Sequence, residues 1–216
     1  APDEAAGLPE AELLARGETD LDLYHPWLLP VEDAIDIARR CEAAAFAVSP
    51  LVKNSEGASV SCQQSHFISA NSLGFMGGYA STRHYLSLSV IAGEGDAMQR
   101  DDWYSTHRDA ADLADPEVIG EYAARRALSR LGARKIATCE VPVLFEAPLA
   151  ATPIGNFVYA ASGGSLYRKS SFLLDSLGTQ VFSPQVHISE RPHLPRGLGS
   201  SPFDDDGVAT QDREVV

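Results

Sequence analysis

Residues 161–178 read ASGGSLYRKSSFLLDSLG, a basic stretch that opens on two glycines and runs into an apolar segment. Glycine permits a tight backbone at this point, and the three residues Tyr167, Arg168 and Lys169 then place an aromatic ring beside two cations. The spacing does not fit a phosphate-binding loop, which requires Gly directly before Lys. The stretch therefore predicts either a surface for a ligand or a partner, or local packing.

Segments on both sides of this stretch extend the pattern. They are NSEGASVS (54–61), NSLGF (71–75), RALSRLGARK (126–135), VPVLFE (141–146) and PHLPRGLGSSPFDDDGVAT (192–210). Taken in this order together with residues 161–178, they resemble the TldD/PmbA family, and the match is to the PmbA (TldE) branch. Members of that family are much longer, so the resemblance implies that this chain is an internal piece.

The assignment to a branch depends on zinc ligands. In the TldD-type subunit, a His-Glu-x-x-x-His helix motif stands at the position of Ser162, because a catalytic zinc needs neutral imidazoles and a carboxylate. Here residues 162–167 read SGGSLY, and Ser and Tyr hydroxyls keep their protons at neutral pH. The resemblance thus implies no catalytic metal in this chain, and zinc in the partner subunit.

What the resemblance implies about function is a zinc-less subunit of a heterodimeric TldD/TldE metallopeptidase. Its substrates would be unfolded peptides, including precursors of peptide antibiotics and labile antitoxins. The residues expected to shape the substrate cavity or to contact the TldD-type partner are Ser162, Gly163, Gly164, Tyr167, Arg168, Lys169 and Ser170. The alternative is a client-binding regulator of the gyrase-modulator type, which acts without a peptidase partner.

The charge and cysteine content limit the classes of partner and the compartment that we expect for this chain. A formal net charge of −13 opposes direct contact with nucleic acid, which requires clustered Lys and Arg. From its acidic first residues and its short apolar runs, we expect neither a signal peptide nor a membrane span in this stretch. Its cysteines, Cys41, Cys62 and Cys139, form no C-x-x-C pair. This usage is typical of reduced thiols in the cytoplasm, and we expect all three side chains to be buried.

Hydrophobic spacing predicts an α+β chain. Apolar residues recur every three or four positions between Pro30 and Pro50, which indicates an amphipathic helix. Extended runs between residues 58 and 107 are separated by turns, and they predict an antiparallel meander. The pair Asp115–Pro116 is a helix start, in which the Asp side chain caps the helix and Pro takes its first position. That helix should run to Gly132, a suitable left-handed terminator.

We expect two domains. Residues 1–135 would be the latter part of an N-terminal α/β domain, in which helices pack on the antiparallel sheet, and residues 136–216 the first part of a mixed, β-rich C-terminal domain. In the second domain, residues 141–145 should form a strand and residues 147–161 a helix broken or bent at Pro153. The opening segment, to about Leu23, is acidic and should be poorly supported.

Other candidate sites have simpler interpretations. His187, Glu190 and His193 have a metal-like spacing, but a strand and a turn would hold the two histidines about 20 Å apart. Three acids at 204–206 precede Gly207 without the spacing of a calcium loop, and they predict a turn in which Asp binds its own backbone. No G-x-S-x-G element indicates a serine hydrolase.

Overall fold

The computed structural model describes residues 6–17 and 19–216, and within them the chain forms two compact units. The larger unit runs to Arg134 and includes Glu190–Arg213, whereas the smaller unit comprises Lys135–Ser189 and Glu214–Val216. The expected division into two domains at residues 135 and 136 stays a prediction.

The larger unit is built on a three-stranded antiparallel sheet. Its strands are β1 (Val52–Ala70), β2 (Met76–Ala92) and β3 (Gln99–His107), and they lie in the order β1-β2-β3. The predicted meander is therefore confirmed. Alternation along β2 places Leu86, Leu88 and Val90 on the buried face, as expected for a sheet that is covered on one side.

Two helices cover that face. These are α1 (Val31–Val48) and α2 (Pro116–Ser129), and their small side chains allow a close approach. A Cβ atom added to Gly120 of α2 would lie 2.0 Å from the carbonyl oxygen of Cys41 in α1. The helix start at Pro116 is confirmed, but the Asp115 side chain makes no capping hydrogen bond. Gly132 has the expected positive φ of 73°.

The opening segment is better supported than its composition predicts. Leu14, Leu21 and Leu23 are buried, because the segment lies along the N-terminal half of β2. There the Thr82 amide donates to the Leu23 carbonyl at 2.9 Å. The prediction of poor support is therefore wrong for the part around Leu14, Leu21 and Leu23, whereas residues 6–13 are mostly exposed. For residues 1–5 and Glu18 the prediction lies outside the described part of the chain.

The smaller unit contains α3 (Ala147–Ala161) and α4 (Gly163–Tyr167). Pro153 lies inside α3 but does not break it. The prediction of a strand at residues 141–145 is wrong, since residues 135–146 have no regular structure. A strand needs a partner, and Leu144 is instead 97% exposed. The short strands β4 (Ser189–Glu190) and β5 (Arg213–Glu214) pair with each other. No helix in the described residues is both long and apolar enough to cross a bilayer.

Candidate functional site

The predicted site residues lie around a sharp change of direction between α3 and α4. Ser162 ends α3 and begins α4 with extended backbone angles. Its hydroxyl donates to the Tyr159 carbonyl oxygen at 2.8 Å and lies 3.0 Å from the Ser165 hydroxyl, while its oxygen also accepts from the Ser165 amide. Ser162 is therefore the N-cap of α4, a role that serine favours.

Ser170 closes the other end of the same helix. Its amide and its hydroxyl both donate to the Ser165 carbonyl oxygen, at 3.0 and 3.3 Å. Between the two serines, Lys169 adopts a left-handed conformation with φ of 54°, which ends the helix as a C′ residue does. Both serine hydroxyls are occupied by backbone contacts, so their observed role is to shape the loop.

The cations and the aromatic ring point outward. Tyr167 is 70% exposed, and the side chains of Arg168 and Lys169 are exposed as well. The Arg168 guanidinium lies over Gly164, where an added Cβ would come within 3.3 Å of it, whereas Gly163 has open space around it. We call the exposed residues 167–169 the cationic turn. The structure thus places the seven predicted residues around one loop, in two classes: residues that shape the backbone of the loop, and the cationic turn, which presents its side chains to solvent.

An apolar groove of about 810 Å³ opens in the same unit. Phe157 of α3 and Leu166 of α4 form one wall, and the Phe157 ring meets the Phe182 ring edge to face at 4.9 Å. The remaining apolar lining comes from Ala161, Leu173, Leu174, Leu177, Val181, Pro184, Val186, Val215 and Val216. A groove of this size and character suits apolar side chains.

The sequence interpretation missed these groove residues. Phe157, Leu166 and Phe182 are separated along the chain, and only the packing of α3 and α4 on residues 173–187 brings them together. The apolar half of the quoted stretch, FLLDSL at 172–177, was the available signal. Its leucines line the groove, and Leu177 is fully exposed.

Metal ligands are not gathered in the described residues. Within residues 6–17 and 19–216, no three His, Cys, Asp or Glu side chains lie together as a group that could hold a metal ion. His187 lines the apolar groove, while the His193 Nε2 atom lies 3.0 Å from the Thr210 hydroxyl oxygen. The absence of a metal from this chain stays a prediction.

The remaining candidates have structural roles. The Asp204 carboxylate accepts from the amides of Asp206 and Val208 at 3.0 and 2.9 Å, which confirms the predicted turn. Cys41 is buried, and burial raises the pKa of its thiol to about 11, so it is an inert core residue. Cys62 and Cys139 are exposed, and the expectation that they are buried is wrong.

A polar cluster in the larger unit was not anticipated. His25 lies 3.1 Å from the Asp22 carboxylate and 3.5 Å from that of Asp109, and Asp22 also accepts from Arg196 at 2.6 Å. The Arg196 hydrogen bond lowers the pKa of Asp22. Asp22 and Arg196 both have positive φ. Because the cluster joins the opening segment to residue 196, we assign it a structural role.

Comparison with family models identifies two matching domains. Residues 24–131 match the model described as the PmbA/TldA metallopeptidase central domain, and residues 138–216 match the corresponding C-terminal domain. Metalloprotease PmbA of Escherichia coli O157:H7 is 45% identical over the whole chain, as is the PmbA homolog of Haemophilus influenzae. The alignments cover 48% of each relative, so this chain spans about half the length of the curated relatives it matches.

Solved structures agree with the fold. A proposed modulator of DNA gyrase from Bacteroides thetaiotaomicron superposes with a TM-score of 0.93 at 28% identity, covering 100% of this chain and 50% of that one. A similarly described protein from Thermotoga maritima gives 0.84 at 28% identity, over 94% of this chain and 47% of that one. TldE from Thermococcus kodakarensis gives 0.64 at 19% identity, with 100% and 48% covered, which is a likeness of fold alone.

Proposed function

Because the chain belongs to the PmbA/TldA metallopeptidase family, we propose that it is part of the zinc-less, PmbA-type subunit of a two-subunit peptidase. A TldD-type partner would hold the zinc and its histidines, and the metal would activate a water for attack on a peptide bond. This chain would supply walls of the reaction chamber. The two family-model matches and the 45% identity of this chain to metalloprotease PmbA support the family part of the proposal.

One observation carries the zinc-less assignment. The stretch that stands at the position of the zinc motif is the N-terminus of α4, and both of its serine hydroxyls are engaged: Ser162 caps the helix, and the buried Ser165 hydroxyl lies 3.0 Å from that of Ser162. A neutral hydroxyl that already binds the backbone is a poor zinc ligand. The segment therefore has a local folding role that explains its residues without a metal.

The groove and the cationic turn define what this subunit would do to a substrate. The groove would take apolar side chains of an unfolded peptide, which a folded protein keeps buried. Arg168 and Lys169 would attract the acidic groups of the peptide or of the partner in an otherwise acidic chain, whose net charge is −13. Peptide antibiotic precursors and labile antitoxins are the proposed substrates. The proposed location is the cytoplasm, where the cysteines of this chain would stay reduced.

Mixing the chain with a TldD-type partner tests this function. We expect zinc-dependent cleavage of an unfolded peptide that neither chain gives alone. The charge-reversed variant Arg168→Glu/Lys169→Glu should lower the rate of cleavage at least about tenfold, the effect of roughly 1.4 kcal/mol in a barrier. Arg125→Glu, on the exposed face of α2, is the matched control and should leave the rate unchanged. Full activity of the partner alone would contradict the shared chamber.

A second function is favoured by the names of two similar structures, which describe proposed modulators of DNA gyrase. In that case the chain would bind a client protein without any peptidase. Size-exclusion chromatography separates the two proposals: a stable client complex without a TldD-type partner supports the regulator, whereas association that requires the partner supports the peptidase subunit.

A further inference from the structure

A buried histidine of β2 has one ring nitrogen without a partner. His84 is 0% exposed, and the Trp27 ring meets its ring edge to face at 5.5 Å. The His84 Nε2 atom lies 2.8 Å from the His25 carbonyl oxygen, whereas the Nδ1 atom is buried and has no hydrogen-bond partner among the described residues. Buried polar atoms are nearly always paired, so this nitrogen needs an explanation.

The contact with His25 determines which ring nitrogen donates. A carbonyl oxygen only accepts, so Nε2 carries the hydrogen, and in the neutral ring Nδ1 carries a lone pair. The two nitrogens point in different directions from the ring, so Nδ1 is turned away from the His25 carbonyl. An imidazole that is oriented through one nitrogen in this way can act as a base through the other.

The register of the sheet places a thiol opposite this imidazole. The Thr82 amide donates to the Leu23 carbonyl at 2.9 Å, so the amides of Thr82 and, two residues on, His84 point away from β1. His84 and its cross-strand neighbour Cys62 are therefore a non-hydrogen-bonded pair, the kind whose side chains lie closer together. Their Cβ atoms are then about 4.5–5.5 Å apart. One staggered rotamer of Cys62 turns its sulfur towards the ring.

By itself the Cys62 thiol is a weak nucleophile. Cys62 is exposed in this chain, so a small reagent can reach it, but desolvation raises the pKa of its thiol. A thiol with a raised pKa holds little thiolate at neutral pH, and the thiolate is the reactive form. A base beside the thiol removes this limit, because it takes the proton while the sulfur attacks.

We propose that Cys62 and His84 form a thiol–imidazole pair, which makes Cys62 a modification site for soft carbon electrophiles. In the reaction with an alkyl halide, a sulfur–carbon bond forms and the carbon–halogen bond breaks. The thiol proton passes to His84 Nδ1, and the halide leaves as an anion. The His25 carbonyl keeps its hydrogen bond from Nε2 and stabilises the imidazolium that forms. This chemistry requires neither zinc nor a partner subunit, so it does not depend on the proposed function.

Alkylation of the unmodified chain by iodoacetamide, followed for each cysteine by mass spectrometry, tests the pair. Cys139, exposed in the other unit, is the internal control. A thiol that reacts only as thiolate slows about tenfold per pH unit below neutrality and slightly above it, and we expect this of Cys139. The rate at Cys62 should change less than about twofold from pH 8 to pH 7, since a neutral imidazole takes the proton. Equal pH dependence at the two cysteines would overturn the proposal.

A histidine variant separates the base from the surroundings of the thiol. His84→Gln should slow alkylation of Cys62 at neutral pH at least about tenfold, below the usual contribution of a positioned base, and leave Cys139 unchanged. The matched control is His66→Gln, four residues from Cys62 on β1, which should leave both rates unchanged. A circular dichroism melt checks that both variants fold. If His84→Gln is unfolded, the pH dependence of the unmodified chain decides. An unchanged rate at Cys62 in folded His84→Gln would contradict the pair.

Discussion

At the scale of single residues, Asp101 is a sensitive point in the larger unit. Its side chain is only 12% exposed and accepts from Arg126 at 3.1 Å and from Arg130 at 3.3 Å. Burial alone would raise the pKa of this carboxyl, but the Asp102 amide and the two guanidinium groups outweigh burial and lower the pKa. The charged form is therefore the one that stabilises the fold.

Asp101→Asn should consequently destabilise the chain at neutral pH by about 1–3 kcal/mol, because the half-buried Arg126 and the exposed Arg130 both lose a charged acceptor. A carboxyl whose folded pKa is lowered stabilises fully above its unfolded pKa, ordinarily 3.8, and the stabilisation is lost as pH falls through the folded pKa. The difference between the variant and the unmodified chain in urea unfolding should thus shrink at low pH. Asp102→Asn, an exposed neighbour, is the control. A difference that persists in acid would contradict this account.

At the scale of elements, the crossing of α1 and α2 depends on a missing side chain. Gly120→Ala would push a methyl group into the Cys41 carbonyl, at 2.0 Å, so the helices must separate. We expect a loss of about 2–4 kcal/mol in the free energy of unfolding, at or above the usual range for overpacking. Gly155→Ala in α3 meets no atom within 4 Å and should be neutral or stabilise by up to about 1 kcal/mol. Similar losses for the two variants would contradict this packing.

Elements whose partners are close in sequence were the ones that sequence patterns predicted well. The β2 alternation, the start of α2 at Pro116 and the bounds of α3 all depend on neighbours along the chain. The strand predicted at residues 141–145 failed because alternation alone does not supply a partner. Burial of Leu21 and Leu23 was missed, since it depends on a contact with Thr82 far along the chain.

For the candidate site too, the sequence predicted the local segment but not the contacts made within the folded chain. Family resemblance identified the residues of α4 and the cationic turn, and the structure brings them together. The resemblance could not distinguish the serines that support the loop from the cations that face outward. Residue spacing does not show hydrogen bonds such as the one from Ser162 to Tyr159. The groove, made of segments as distant as Phe157 and Val216, had no pattern of its own.

At the scale of the whole molecule, this chain belongs to a metallopeptidase family, and the central proposal is that it supplies walls of a reaction chamber while a partner subunit supplies the metal. Zinc content measured on the purified chain alone and on its mixture with a TldD-type partner tests it most directly. We expect the isolated chain to bind no stoichiometric zinc, and the mixture to hold zinc only in proportion to the partner. Stoichiometric, tightly held zinc on the isolated chain that is lost with Ser162→Ala or Tyr167→Phe would contradict the account.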